Sequence, residues 1–387
     1  MAFSLTGTSL TLQNLEDILQ KHLLLEIPPI DSSISSAKEN SVNADQAIIA
    51  QDYLAVHAVG FGPEIPEEII RLTFIIYLKT LVNRNRPEIQ LATLNRLLSF
   101  FNRDIFPVVL SQGSSTAQLA QLILPMLGEG KVKYQGYELN AADILDIFSW
   151  EPLTLHPAEV TTLLQEQTFT LAHAAYYLLQ LKKFMPWYTY LATVFTQISS
   201  SSSDDVKKQV TQIQKAFQQA QTTLESSFLN TNKTLQENSI SALSELSLQL
   251  QNFLTILAIC TAETFENLIS TSEPPATSSF NQALVLSNLL QQQSEQISVN
   301  TFSSLASSTQ LASLNKKLAS LISLTEQLTA LAFWSVSQVG KVFNLASENL
   351  TLAAYYHSEL FVPKEIVTTQ LAKTINFIKT HTPTVQA

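Results

Sequence analysis

The sequence predicts an all-α fold: a long helix bundle with a smaller mixed N-terminal part. Apolar residues make up 45% of the chain, yet glycine occurs only 8 times, a composition typical of helices and unlike that of barrels or sandwiches. The C-terminal half also repeats apolar residues at alternating three- and four-residue steps, which places them on one face of a helix. A chain of 387 residues can bury a substantial core.

The N-terminal part combines helices of ordinary length with turns that contain proline and glycine. Residues 67–82 follow a proline suited to the first helical turn, and they leave little room for a polar face, so we expect a buried helix. Residues 131–142 ("KVKYQGYELNAA") alternate around a glycine turn, which predicts a short hairpin. Asn140 is then placed to cap the following helix.

The composition changes at the run "SSSSSDD", after which glycine is absent until Gly340. The apolar steps in this part predict helices packed against a partner helix. They comprise Val206, Val210, Ile213, Phe217, Ala220 and Leu224, then Leu243, Leu246, Leu250, Phe253 and Leu257, then Leu311, Leu314, Leu318 and Leu321. We expect an N-terminal region (1–198), a shortened central helix bundle (199–362), and a C-terminal helix with its tail (363–387).

Charge and hydropathy argue against several kinds of partner. The net charge is −10 and the basic clusters are isolated pairs, so no stripe able to follow a phosphate backbone is visible. No stretch of bilayer-spanning length is free of polar residues, and the first residues lack the pattern of a signal peptide. We therefore expect a cytoplasmic protein without nucleic-acid or membrane partners. Cys260, the single cysteine, lies in an apolar run that predicts a buried, inert thiol.

Several short segments of the first half occur in a recognisable order. They are "LTGTSLTLQNLEDIL", "DYLAVHAVGFGPEIPEEIIR", "RPEI", "LLSFFNRDIFPVV", "LGEG", "YQGYEL" and "EPLTLHPAE". Together they resemble the aromatic amino acid ammonia-lyases, the family of the histidine and phenylalanine ammonia-lyases and the related aminomutases. Further along, "QQQSEQISVNTFSSLAS" resembles the family's Gln-Glu-Asp-His-Val-Ser segment. The resemblance implies the family's long helix bundle, with a shortened middle.

The resembled family depends on a methylidene-imidazolone, an electrophile that forms when an internal Ala-Ser-Gly tripeptide cyclises and loses water. In this chain the corresponding run "PVVLSQGSSTAQL" keeps Gly113 and Ser114 and then continues directly to Ser115. No Ala-Ser-Gly occurs anywhere else in the sequence. We therefore expect no self-made electrophile and no other cofactor. The histidines lack carboxylate or cysteine partners at ligand spacing, so no metal site is expected either.

Other catalytic segments that the resemblance implies are missing or altered. The interval of the family's tyrosine loop is occupied by "SSISSAKENSVNADQ", which has no tyrosine, and the arginine segment that binds the substrate carboxylate has no counterpart. Gln165 stands where the family has an asparagine, and Ser294 falls near its acidic or amide position. By resemblance, the vestigial pocket consists of His57, Gly113, Ser114, Gln165 and Ser294.

Structural interpretations of the same residues remain open. A histidine such as His57 on an otherwise apolar helix is more often a hydrogen-bonding group of the core or between helices, and "SQGSS" fits a shortened loop between helices. Trp187 and Trp334 are predicted to be packing anchors.

These losses predict a non-catalytic relative with a structural, regulatory or partner-binding role. Two alternatives stay open: an enzyme or small-molecule-binding protein with a remodelled pocket, and a degenerate subunit of a mixed ammonia-lyase. The stripe of Leu311, Leu314, Leu318 and Leu321 has to be covered by a helix of the same chain or by another subunit. We expect a homo-oligomer, dimer or tetramer, or a hetero-oligomer with an intact homologue.

Overall fold

The computed structural model of the chain describes residues 2–5, 9–27, 44–83, 89–164, 167–198, 203–229, 233–271, 276–297, 307–342, 351, 355 and 367–383. Its helices are α1 (Leu12–Lys21), α2 (Ala44–His57), α3 (Glu67–Asn83), α4 (Leu91–Asn102), α5 (Ser115–Ile123), α6 (Ala141–Ile147), α7 (Pro157–Leu164), α8 (Thr168–Ile198), α9 (Ser203–Leu229), α10 (Lys233–Thr271), α11 (Ala276–Gln296), α12 (Ser307–Val342) and α13 (Val367–Thr380). Its strands are β1 (Ala2–Ser4), β2 (Leu24–Glu26), β3 (Phe61–Glu64), β4 (Phe106–Pro107), β5 (Leu110–Gln112), β6 (Lys131–Tyr134) and β7 (Tyr137–Asn140).

Helices dominate the fold, which confirms the predicted class, and the strands of the described part all lie in its smaller mixed N-terminal region. β1 pairs with β2 in parallel, β3 with β5 antiparallel, and β4, β6 and β7 form an antiparallel sheet. The β6–β7 pair is the predicted hairpin. Asn140 is the N-cap residue of α6 as expected, although its amide donates to Asp143 at 3.2 Å and makes no backbone cap bond.

Two compact units make up the chain. The first comprises Met1–Tyr176, Gln221–Ser239 and Ala306–Leu311, and the second comprises Tyr177–Ala220, Ile240–Leu305 and Ala312–Ala387. The division expected near residues 199 and 363 stays a prediction.

In the first unit, α3 is buried from Ile69 to Leu81 with Arg71 as the exception, as its sequence predicts. Its Lys79 ammonium donates to the Leu5 carbonyl at 2.9 Å, and burial lowers the pKa of this lysine. Asn102 of α4 holds β2, since its Oδ1 accepts from the Leu25 N–H at 2.8 Å and its Nδ2 donates to the Leu25 carbonyl at 2.9 Å. Polar side chains thus anchor the short N-terminal strands to buried helices.

The apolar stripes of the C-terminal half are core residues. Those of α9 and α10 are buried along their length, and so are Leu314, Leu318 and Leu321 of α12. The side chain of Leu311 lies outside the described residues. The chain itself therefore covers Leu314, Leu318 and Leu321, and no second subunit is needed for these three.

An aromatic cluster in the second unit holds α13. The Trp187 indole donates to the Ile378 carbonyl at 3.1 Å, and Phe377 stacks on Phe333 with ring centroids 5.8 Å apart. Tyr355 meets Phe377 edge-on. Trp187 and Trp334 are both buried, which confirms their predicted packing role, and Cys260 is buried as expected.

Within the described residues, one helical stretch is long and apolar enough to cross a bilayer by length and composition. This stretch is Glu237–Ser270 of α10, and 50% of its most apolar window is buried inside the protein. Core helices of the same composition pass the same test, and the buried stripe from Leu243 to Leu257 fits a core helix.

Candidate functional site

Two segments that are distant in sequence meet at the pair of β3 and β5. β3 follows α2, whose last residue is His57, and β5 leads into α5 through Gly113 and Ser114. Phe61 pairs with Gln112, and the register is irregular beyond that pair. The structure therefore brings three of the five predicted pocket residues to one place in the first unit. We call residues 57–64 and 110–121 the β3–β5 junction.

Glycines allow the close approach of the two segments. A β-carbon at Gly60 would collide with the side-chain amide of Gln121. A β-carbon at Gly113 would lie 3.4 Å from the Val59 carbonyl oxygen and 3.5 Å from the β-carbon of Ala117. A β-carbon at Gly113 would therefore make ordinary van der Waals contacts, so of these two glycines it is Gly60 on which the close approach depends.

Ser114 is the N-cap residue of α5. Its Oγ accepts a hydrogen bond from the Ala117 N–H at 3.1 Å, and its carbonyl accepts from the Gln118 N–H at 3.0 Å. These bonds satisfy backbone donors that a helix N-terminus leaves open. The expected loop between two helices is instead a connection from a strand to a helix, because the residues before Gly113 pair with β3.

Gln121 is a junction residue that the sequence interpretation missed. It is 9% exposed, and its Oε1 accepts a hydrogen bond from the Leu110 N–H at 2.8 Å. Its Nε2 is buried and finds no hydrogen-bond partner in the part of the chain that the structure describes. The signal in the sequence was a glutamine one helical turn after Ala117, between the apolar residues Ala120 and Leu122.

His57 is half-buried at the end of α2. Its ring lies against Tyr53 with centroids 4.3 Å apart, and its Nδ1 is 2.8 Å from the Tyr53 carbonyl oxygen. A carbonyl only accepts, so Nδ1 carries the hydrogen and Nε2 is left as an acceptor in the neutral ring. The orientation of the ring is therefore set within its own helix.

The other two predicted pocket residues are Gln165 and Ser294. Gln165 lies outside the described residues. Ser294 is buried in the second unit, where its Oγ donates to the Gln291 carbonyl at 2.7 Å and its own carbonyl accepts from Gln251 Nε2 at 2.9 Å. Its side chain is used to complete the C-terminal turns of α11. The pocket role of Ser294 stays a prediction.

Glu159 is a fully buried carboxylate of the first unit. Its Oε1 accepts from the Gln90 N–H at 2.9 Å and from Thr93 Oγ1 at 2.6 Å, so it caps α4 from the neighbouring helix α7. Burial raises the pKa of this carboxyl, against the hydrogen bonds that lower it. Its role is to position α4.

The residues of the junction do not fit a methylidene-imidazolone. Only Gly113 and Ser114 separate β5 from α5, Ser114 is engaged as the helix cap, and the chain then continues directly to Ser115 without an Ala-Ser-Gly tripeptide. Among the described residues, no group of three or more His, Cys, Asp or Glu side chains could hold a metal ion.

The helical fold is already known from solved structures. A tyrosine aminomutase from Streptomyces globisporus superposes with a TM-score of 0.80 at 13% identity, covering 98% of this chain and 97% of that one. The ergothionase of Treponema denticola gives 0.81 at 13%, covering 98% and 99%. The histidine ammonia-lyase of Trypanosoma cruzi gives 0.73 at 14%, covering 98% and 94%. These likenesses show the fold.

The chain belongs to the aromatic amino acid lyase family. The family's sequence profile, described as "Aromatic amino acid lyase", matches residues 35–252, which is more than half of the chain. The histidine ammonia-lyase of Streptococcus pyogenes serotype M5 (strain Manfredo) is 31% identical over 136 residues, or 34% of this chain and 26% of that protein. The Streptococcus gordonii enzyme is 32% identical over 129 residues, 32% and 25% respectively. The chain thus aligns with about a quarter of the length of these relatives.

Proposed function

We propose that the chain is a non-catalytic member of its family with a structural, regulatory or partner-binding role. The observation that carries the proposal is the connection at Gly113 and Ser114, which holds no Ala-Ser-Gly and uses the Ser114 hydroxyl to cap α5. Without the electrophile, no ordinary side chain activates an amino acid for removal of its weakly acidic β-proton. We further propose a cytoplasmic protein without membrane or nucleic-acid partners.

The test is an assay of the purified full chain beside an intact histidine ammonia-lyase. We expect no absorbance from a methylidene-imidazolone, and no urocanate or cinnamate from histidine or phenylalanine. The intact enzyme shows that the assay detects product. Turnover of any aromatic amino acid by this chain would contradict the proposal.

A second candidate function is small-molecule binding, or different chemistry, at the remodelled junction. The observation in its favour is a pair of buried polar atoms, Ser115 Oγ and Gln121 Nε2, for which the described residues provide no hydrogen-bond partner. Such groups in a native fold call for an explanation, and a bound ligand is one. A thermal-shift screen of amino acids, arylacrylates and acyl derivatives tests it, since a ligand at a hundred times its Kd adds about 2.7 kcal/mol. A flat screen would count against this function.

We also propose self-association, as a dimer or tetramer, with a mixed oligomer containing an intact homologue as the alternative. The support is an exposed apolar surface in the first unit, formed by Ile48, Ile49, Tyr53, Val56, Val59 and Phe61. Co-expression with an intact lyase, followed by tandem affinity purification, distinguishes the two. A mixed complex would favour the degenerate-subunit alternative.

A further inference from the structure

Two arginines of the α4 segment lie over a pair of aromatic rings in the first unit. The guanidinium carbon of Arg96 is 4.8 Å from the centroid of the Trp150 ring. That of Arg103 is 4.6 Å from the Phe148 ring and 5.3 Å from the Trp150 ring. Phe148 and Trp150 stack on each other with their centroids 4.8 Å apart. We call these four residues the arginine–aromatic shelf.

The turn after α6 brings the two rings together. Ser149 lies between them in the sequence and has a φ of 52°, a left-handed conformation that costs a residue other than glycine some free energy. The Trp150 N–H donates to the Leu145 carbonyl at 2.8 Å, which ends the helix in this conformation. Backbone strain of this kind occurs most often at functional sites, so the turn itself is a reason to ask what the rings bind.

The two arginines differ in what they can still bind. Arg96 is half-buried, its Nη2 donates to the Glu151 carbonyl at 3.0 Å, and its Nη1 is buried as well. Arg96 therefore fastens the turn to α4. Arg103 is exposed, and the part of the chain that the structure describes provides no carboxylate or other acceptor for its side chain. The edge of its guanidinium group is thus available to an acceptor from outside.

The chemistry of Arg103 favours a carboxylate as that acceptor. Arg71 shows the ordinary arrangement in this chain, since it pairs with Glu67 at 3.1 Å and with Asp104 at 2.7 Å. A guanidinium group binds a carboxylate through two parallel hydrogen bonds, and contact of its flat face with a ring uses none of its donors. The rings also restrict the side chain before binding, so less conformational entropy is lost when the ligand arrives.

The surroundings of the shelf narrow the ligand further. Asp146 and Glu151 are exposed and close to the rings in the sequence, so they would repel a nucleic acid or a run of carboxylates. Ile147 precedes Phe148 and is 58% exposed, which adds apolar surface. A ligand with one carboxylate between apolar groups fits these surroundings.

We propose that the arginine–aromatic shelf binds a short peptide segment of a partner protein, in which one aspartate or glutamate lies between apolar residues. The carboxylate accepts two hydrogen bonds from Arg103, and the apolar neighbours cover the half-buried rings of Phe148 and Trp150. Burial of these rings and the charge-assisted hydrogen bonds act together.

This inference rests on the partner-binding role of the proposed function and names its surface and the chemistry of its partner. None of the four shelf residues belongs to the proposed pocket. Ammonia-lyase activity would therefore contradict the non-catalytic role and leave the peptide site intact. Absence of peptide binding would remove the site and leave the non-catalytic role intact.

The test is a titration of the full chain with the peptide acetyl-Gly-Leu-Phe-Glu-Leu-Gly-amide, followed by tryptophan fluorescence and by calorimetry. The chain has three tryptophans, and Trp187 and Trp334 are buried, so a change in emission reports on Trp150. We expect a Kd of about 0.1–1 mM, typical of a short peptide with one anchoring contact. The same peptide with glutamine in place of glutamate should bind about tenfold more weakly, because the charge is lost.

Substitutions of Arg103 should weaken binding of the glutamate peptide. We expect Arg103→Gln to raise the Kd about tenfold, and Arg103→Lys to raise it about threefold, because lysine keeps the charge and lacks the planar pair of donors. Arg103 is exposed, so both variants should melt close to the wild type. The matched control is Lys207→Gln, which removes an exposed cation of the second unit and should leave the Kd unchanged. Raising NaCl from about 50 to about 500 mM should weaken binding.

Three results would overturn the proposal. The first is a wild type that binds no glutamate peptide by either method up to about 5 mM, well above the Kd expected for one anchoring contact. The second is equal affinity for the glutamate and glutamine peptides. The third is an Arg103→Gln variant with the wild-type Kd, or, if that variant does not fold, an Arg103→Lys variant with the wild-type Kd.

Discussion

Glu159, Asn102 and Gln121 each supply a hydrogen-bond partner that the local backbone lacks. Glu159 caps α4, Asn102 acts as a neighbouring strand for Leu25, and Gln121 accepts from the first N–H of β5. Glu159 and Asn102 join segments that are distant in sequence, and Gln121 joins α5 to β5 across the short connection between them. The first unit therefore depends on a few polar contacts as well as on its apolar core, since an unpaired buried backbone group costs about 1–3 kcal/mol.

Glu159→Gln should change how stability depends on pH. Burial raises the pKa of Glu159 in the folded protein above the value near 4.5 that an unfolded glutamate has. The folded state therefore holds this proton more tightly, and the wild type loses stability as pH rises from about 4.5 through the folded pKa. The glutamine side chain of the variant has no such proton to lose, and its Oε1 can accept the same two hydrogen bonds. In urea unfolding between pH 4 and 8, the free energy of unfolding of the variant should increase relative to that of the wild type as pH rises.

Glu159→Ala is the control for that experiment. It leaves the Gln90 N–H and the Thr93 hydroxyl without their buried acceptor, so it should cost about 1–3 kcal/mol at every pH. The free energy of unfolding of Glu159→Gln would then fall relative to that of the wild type as pH rises only if the carboxylate is not destabilised by burial, and that result would contradict the prediction.

Gly60→Ala should destabilise the first unit through its contact with Gln121. The new methyl group would collide with an amide that Leu110 holds in place, at a cost of about 1–3 kcal/mol. In a Gln121→Ala background the collision disappears, so the same substitution should cost less there. A double-mutant cycle by urea unfolding should give a coupling of about 0.5–3 kcal/mol. Additive effects would mean that the collision is relieved elsewhere.

At the scale of elements, the sequence predicted features that depend on residues close together in the chain and missed those that depend on contacts between distant segments. The α9 and α10 stripes, the buried α3 and the β6–β7 hairpin were predictable, because period and turn chemistry are local signals. The pairing of β3 with β5 was not, since it joins Phe61 to Gln112 across a long stretch of chain. Ser114 was consequently placed in a loop between helices. The apolar stripe of α12 likewise indicated that another element buries it, but the sequence did not show whether that element belongs to the same chain or to a second subunit.

Leu318→Asp should unfold the protein and should not merely dissociate it. Leu318 is 1% exposed, so the substitution buries an unpaired carboxylate in the core and costs several kcal/mol. Ser320→Asp, exposed on the same helix, is the matched control and should stay within about 0.5 kcal/mol of the wild type. Far-ultraviolet circular dichroism during urea unfolding measures both. A folded Leu318→Asp monomer would show that this stripe is an interface after all.

At the scale of the whole molecule, the chain keeps the fold of its family around an altered junction. Helix stripes and glycine segments depend on packing, so a loss of catalysis of the kind we propose would leave them in place. The resemblance of the motifs identified the family from sequence, yet it could not show that Gln121 would hold β5 or that Ser114 would cap α5. Those roles follow from a connection of only two residues between β5 and α5.

Inserting Ala-Ser-Gly between Gly113 and Ser114 should therefore fail to create an ammonia-lyase. The insertion restores the tripeptide, but Ser114 still caps α5 and Gln121 still fixes the start of β5. The inserted residues therefore form a longer loop whose two ends keep the geometry that they have in this chain. The tyrosine loop and the arginine segment of the family remain absent from the sequence. We expect no urocanate or cinnamate from the folded variant, measured beside an intact lyase. Insertion of Gly-Gly-Gly at the same place controls for the longer loop and should match it in stability. Product formation by the Ala-Ser-Gly variant alone would mean that the missing electrophile is the chain's only catalytic defect.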